Sequence, residues 1–196
     1  MERTADLIEQ LSEIRSMMEK STKILSLSGL AGVSIGVIAI GGILFVQYIH
    51  TRIPAEDVQL YVIAAAAVVL VAAIAISVLL SVRMARKKNL PIWNNVAKHM
   101  LIELAIPLFS GGVFCIALMI GRLYSMIPAA MLLFYGLALI AASKFTVREI
   151  RYLGLTELLL GLLAALVPNQ ALNFWALGFG LLHILYGVRM YLKYEK

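Results

Sequence analysis

Six apolar stretches, each close to the length that crosses a lipid bilayer, divide this chain, and basic residues fill the gaps on alternate sides. They run over Ile24–Ile49, Val58–Val82, Met100–Gly121, Ile127–Ser143, Leu153–Val167 and Ala171–Val188. A spanning helix needs about 20 mostly apolar residues. In hydrocarbon only helices and closed barrels satisfy their own backbone groups. The fifth stretch is the shortest; it gains the length once residues 150–152 are added and the Arg151 side chain reaches back to the interface. The expected fold is all-α: a polytopic membrane protein, a six-transmembrane-helix bundle with an amphipathic N-terminal cytoplasmic helix. The expected division is 1–23 for that helix, 24–192 for the transmembrane domain and 193–196 for a cytoplasmic tail. Composition supports this, since 62% of residues are hydrophobic and 14% are charged, against about 25% charged in soluble domains.

Orientation follows from the cations. Arg3, Arg15, Lys20 and Lys23 precede the first stretch, and Arg83, Arg86, Lys87, Lys88 and Lys98 follow the second. Lys144, Arg148 and Arg151 follow the fourth, and Arg189, Lys193 and Lys196 close the chain. That places fifteen on one side and only Arg52 and Arg122 on the other. Both termini are expected inside, with an even number of spans. The net charge of +6 is then a topology signal and calls for no nucleic acid. The first residues carry Glu2, Asp6, Glu9, Glu13 and Glu19, so a cleavable signal peptide is not expected and the first stretch reads as an uncleaved anchor. The single cysteine, Cys115, lies in an apolar run and reads as a small buried hydrophobe. Trp93, Tyr152, Trp175 and Tyr191 fall near expected interfaces, where amphipathic rings anchor.

Before the first span, Leu7, Leu11, Ile14 and Met18 recur at helical spacing. The same register enters the membrane as a face of small residues, with Ser28, Gly32 and Gly36 four apart. Small residues at that spacing let helix backbones approach closely. Two readings stand: a cytoplasmic stalk that pairs with a second copy or a partner, and an amphipathic helix lying on the membrane. The expected partners are membrane lipids and either a homo-oligomer or a membrane or cytoplasmic protein.

Ionisable residues inside a span are costly and mark function or a buried pair. Three qualify: Glu103, Glu157 and His183. Glu157 lies twelve residues before Asn169 in the Pro168–Asn169–Gln170 turn and His183 fourteen after it. At 1.5 Å per residue their depths are about 18 Å and about 21 Å, nearly level on antiparallel neighbours. Each is flanked by glycines at the same spacing, Gly154 and Gly161 around Glu157, Gly180 and Gly187 around His183. That pattern marks two close-packed faces, and Glu157 and His183 are expected to hydrogen-bond. The pair reads as a structural clasp, as a proton or ion site, or as two metal ligands, short of a usual set. No metal and no cofactor are expected. Glu103, beside Lys98 and His99, is expected in an interfacial ion pair. Pro107 should free the Glu103 carbonyl, for which Ser110 is a candidate donor.

Tyr135–Gly136–Leu137 followed by Lys144 is weakly repeated by Phe179–Gly180–Leu181 followed by Arg189. The runs 13–15 with 25–32, 149–154, and 174–180 with His183, Tyr186 and Gly187 resemble a group of small six-span bacterial membrane proteins that sometimes carry an automated carotene-monooxygenase label. The resemblance implies a bacterial inner-membrane protein and no established activity. Iron-binding carotenoid oxygenases use four histidines, and this chain has His50, His99 and His183. It has no phosphate-binding loop, dinucleotide fingerprint, H-E-x-x-H, C-x-x-C or G-x-S-x-G. The leading expectation is an oligomeric interaction, scaffold or regulatory component. The alternatives are a small solute, ion or proton transporter or channel built on Glu157 and His183, and a membrane-embedded lipid-modifying enzyme.

Overall fold

The computed structural model describes residues 28–89 and 93–196, and the expected N-terminal helix over 1–23 lies outside them. The described residues form helices joined by short turns, with no strand among them. The helices are α1 (Gly29–Arg52), α2 (Ala55–Lys87), α3 (Asn95–Ile120), α4 (Ile127–Ala142), α5 (Arg148–Leu166), α6 (Ala171–Trp175) and α7 (His183–Tyr194). A π-helical stretch, Ala176–Leu182, makes α6 and α7 one continuous rod. Five helical segments are long and apolar enough to cross a membrane, and α5 is not one of them. It carries Arg148, Glu149, Arg151 and Glu157 within 19 residues.

Several helices outrun their apolar stretches. The second was expected over Val58–Val82 and spans 33 residues, Ala55–Lys87, about 50 Å. The apolar run marks only the part suited to lipid, while backbone hydrogen bonding continues into the polar zone. For the same reason α7 continues to Tyr194, so most of the expected 193–196 tail is helical or hydrogen-bonded to the helix end. The α3 N-terminus is capped by Asn94, whose Oδ1 accepts the Ala97 N–H at 2.7 Å. At its other end Leu123 N–H reaches the Leu118 carbonyl at 2.8 Å and Arg122 N–H reaches Met119 at 3.0 Å. Arg122 takes the left-handed conformation (φ 57°) that this closure requires. Pro107 sits inside α3 without ending it. The Ser110 hydroxyl donates to the Ile106 carbonyl at 2.9 Å, so it does not serve Glu103 as expected.

Packing follows a row: α2 on α1, α1 on the π-stretch and α7, the α6–α7 rod on α5, α5 on α4, and α4 on α3. In lipid the apolar effect does not drive helices together, so close packing of small residues must do so. Two seams show this. Gly36 of α1 lies against the Gly180 carbonyl and Ile184, and Gly32 lies against Gly187. Gly136 of α4 and Gly154 of α5 meet each other's carbonyls, while Gly161 lies against Leu132 and Leu133. The Ser28–Gly32–Gly36 face is therefore occupied by the chain's own last rod. It is not available to a second copy, and an oligomer would have to use another surface. The row thus consists of two blocks of three, α2–α1–α7 and α3–α4–α5.

Candidate functional site

The two blocks meet where α5 faces the α6–α7 rod, and there the structure places Glu157 and His183 together. Glu157 is wholly buried and His183 is 2% exposed. Glu157 Oε1 stands 3.3 Å from His183 Nδ1. The residue count from the Pro168–Gln170 turn explains this: neither helix has a long connection in which register could be lost.

The imidazole is held at both nitrogens. Nδ1 lies 2.9 Å from the Gly178 carbonyl, and a carbonyl only accepts, so Nδ1 carries the hydrogen. In the neutral ring Nε2 then accepts from the Tyr135 hydroxyl at 2.9 Å. If Nε2 takes a proton, the hydroxyl turns and accepts instead. The same contacts serve both charge states of His183, and the Glu157 carboxylate complements the cationic one. Phe179 stacks on the imidazole with ring centroids 5.6 Å apart and planes 13° apart. It also contacts Tyr135 at 4.9 Å and Trp175 at 5.0 Å. Trp175, expected near an interface, packs against the core around Leu132.

Gly178 is required by close approach. A Cβ there would run into the Glu157 carboxylate and come within 2.6 Å of Leu132 Cδ2. The π-stretch containing Gly178 ends at His183, and such stretches are frequent at functional sites.

What the site lacks is a donor for its acid. Neither carboxylate oxygen of Glu157 has a hydrogen-bond partner among the described residues, and neither does Trp175 Nε1. Buried polar groups are almost always paired, so an orphan calls for an explanation. Among the described residues no three acidic, histidine or cysteine side chains gather as a metal site.

Glu103 is elsewhere. It is half-buried on α3 and has no hydrogen bond or ion pair among the described residues. Its expected partners are engaged differently: Lys98 Nζ lies 5.9 Å from the Trp93 ring centroid and His99 stacks on Phe145 at 6.3 Å. The flanking glycines divide by helix. Gly154 and Gly161 face α4, while Gly180 and Gly187 face α1.

A second polar cluster, missed in the sequence, joins the N-terminal end of α5 to the C-terminal end of α7. Lys193 Nζ lies 2.6 Å from Glu149 Oε1, and Tyr194 Oη donates to Glu149 Oε2 at 2.9 Å. Lys88 Nζ donates to the Tyr194 carbonyl at 3.0 Å. Glu195 accepts the Gly29 N–H and so supplies the cap that Ser28 does not. The signal available beforehand was Glu149 on the same helical face as Glu157, two turns away.

Burial opposes the ionisation of Glu149, but the hydrogen bonds from Lys193, its own backbone and Tyr194, with the Lys193 charge, outweigh it and hold the carboxyl below its ordinary 4.5. Hydrogen bonding to Glu149 holds Lys193 above its ordinary 10.5. A depressed acid stabilises the fold above its unfolded pKa and loses that contribution as pH falls through the folded one. A raised base stabilises below its unfolded pKa and loses it as pH rises through the folded one. Unfolding midpoints in detergent should therefore be lower for Glu149→Gln than for the native chain by a constant amount between pH 4.5 and 10.5. The gap should close in stronger acid. A gap that persists unchanged there would show that the clasp is not ionic.

The chain matches no family model, and no curated protein or solved structure shows significant similarity to it.

Proposed function

We propose that this chain is a six-span membrane protein, with both termini on the cytoplasmic side, whose centre exchanges a proton at Glu157, His183 and Tyr135. The observation that carries this reading is the orphaned carboxylate: Glu157 is fully buried, has no hydrogen-bond donor among the described residues and stands 3.3 Å from an imidazole. A purely structural clasp would satisfy its acid, because a buried unpaired carboxylate is among the costliest groups a fold can hold. His183 keeps its contacts with Tyr135 and the Gly178 carbonyl in either charge state. The reading counts α5 as the sixth span. Three of its four charged residues sit at its inner end, and the fourth is Glu157.

The test is proton uptake into liposomes containing the full chain, driven by an imposed membrane potential and read by an internal pH-sensitive dye. Glu157→Gln keeps the shape and removes the exchangeable acid, and should lower the rate by about 100-fold or more. Equal rates for the native chain, the variant and empty liposomes would sink the proposal. That result would leave the reading as an interaction or scaffold component. The feature favouring it is α2, which among the described residues packs mainly on α1 and leaves Leu60, Val68, Val71 and Leu79 exposed.

A further inference from the structure

We infer that the seam between α5 and α7 is a gate that opens from the inner end, hinged at Pro168–Gln170 and closed by Glu149 against Lys193 and Tyr194. The inference rests on reading Glu157 and His183 as a proton-exchange site, and it names what regulates access to them.

The two sides of the seam are built as separate bodies. Within each block the backbones touch through glycine, Gly32 and Gly36 on the α7 side and Gly136 and Gly154 on the α5 side. Between the blocks, α5 runs close beside α6 next to the outer turn, and close approach to α7 is sparse. The outer ends are tied by a turn of three residues, with Val167 N–H on the Leu163 carbonyl at 3.1 Å and Gln170 N–H on Val167 at 2.9 Å. They cannot separate without breaking the chain's own geometry.

Among the described residues the inner ends have no such backbone tie. No short turn joins them, since α5 and α7 are connected only through the outer turn. What closes them is side-chain chemistry: one carboxylate receiving a cation at 2.6 Å and a phenol at 2.9 Å. Glu149 is 5% exposed, while Lys193 is 54% exposed and within reach of water. Lys193, being half exposed, can exchange this contact for water, which interlocked backbones cannot do. Hinged separation of packed bodies around a central site is a general way of exposing it to one side.

Glu149, Leu153 and Glu157 lie four residues apart on one face of α5, so a seam opened at Glu149 leads along Leu153 to Glu157. Leu153 is 5% exposed in the closed form. It is the natural reporter.

The experiment uses the full chain in nanodiscs, in a Cys115→Ala background, with a water-soluble methanethiosulfonate reagent. Leu153→Cys reports the inner half of the seam, and Ala164→Cys, at a fully buried outer position, reports the hinge. Adding Glu149→Gln should raise labelling at position 153 about tenfold, the equilibrium equivalent of one charge-assisted hydrogen bond. Position 164 should stay shielded. An unchanged rate at 153 overturns the gate. An equal rise at both positions also overturns it, because the seam would then be coming apart without a hinge. If position 153 opens as expected while Glu157→Gln leaves proton uptake untouched, the gate stands and the proton-exchange reading falls.

Discussion

His183→Leu is expected to cost about 3–5 kcal/mol of stability, and adding Glu157→Leu to it is expected to recover most of the loss. The single substitution removes the imidazole that stands 3.3 Å from a wholly buried acid. Glu157 must then become neutral or remain a bare charge, and in either form its oxygens have no donor among the described residues. Tyr135 and the Gly178 carbonyl also lose the imidazole they flank. The double substitution removes acid and base together and fills the space with apolar side chains of similar size. Breaking a buried pair is severe, whereas replacing both members is often neutral or stabilising. A double-mutant cycle, by reversible unfolding in mixed detergent micelles, measures the coupling. If the two losses simply add, the pair is not coupled and its proximity carries no energy.

The second large effect belongs to the seam between α1 and α7. Gly187→Val is expected to destabilise by about 3 kcal/mol, the upper end of what overpacking ordinarily costs. A Cβ at that position would stand 2.5 Å from Val33 N, 2.7 Å from the Gly29 carbonyl oxygen and 2.9 Å from the Gly32 carbonyl carbon. All three are backbone atoms, so no side chain can rotate away and the helices must part. Gly41→Val is the matched control: nothing lies within 4 Å of a Cβ there, and its effect should stay within about 0.5 kcal/mol. Similar losses for both would mean that the effect at Gly187 does not arise from its backbone contacts with α1.

These effects rest on features that were unequally legible in the sequence. The juxtaposition of Glu157 and His183 could be counted, because a three-residue turn fixes the register of the helices it joins. Tyr135 could not be counted in. It arrives from α4, and no local spacing links it to residue 183. Glycine spacing revealed which faces pack closely, at Gly32 and Gly36 as at Gly154 and Gly161, but spacing does not say whose helix fills the face. The small-residue face of α1 thus looked open to a second copy when α7 occupies it. Charge proximity in sequence misled at Glu103, since Lys98 and His99 each found an aromatic ring instead. The π-stretch left no compositional trace: Ala176–Leu182 has the residues of any apolar helix, and only tertiary packing selects its wider turn.

The docking of α7 on α1 also has a timetable. Glu195 meets the Gly29 amide across a sequence separation of 166 residues. At a synthesis rate of about 5–20 residues per second, roughly 8–33 s pass between the emergence of one and the other. Throughout that interval the glycine face of α1 has no partner from its own chain, while α3, α4 and α5 can already assemble with their sequence neighbours. The α6–α7 rod therefore completes the packing of α1. A nascent chain that stops short of the α6–α7 rod leaves α1 and α2 undocked from α3, α4 and α5.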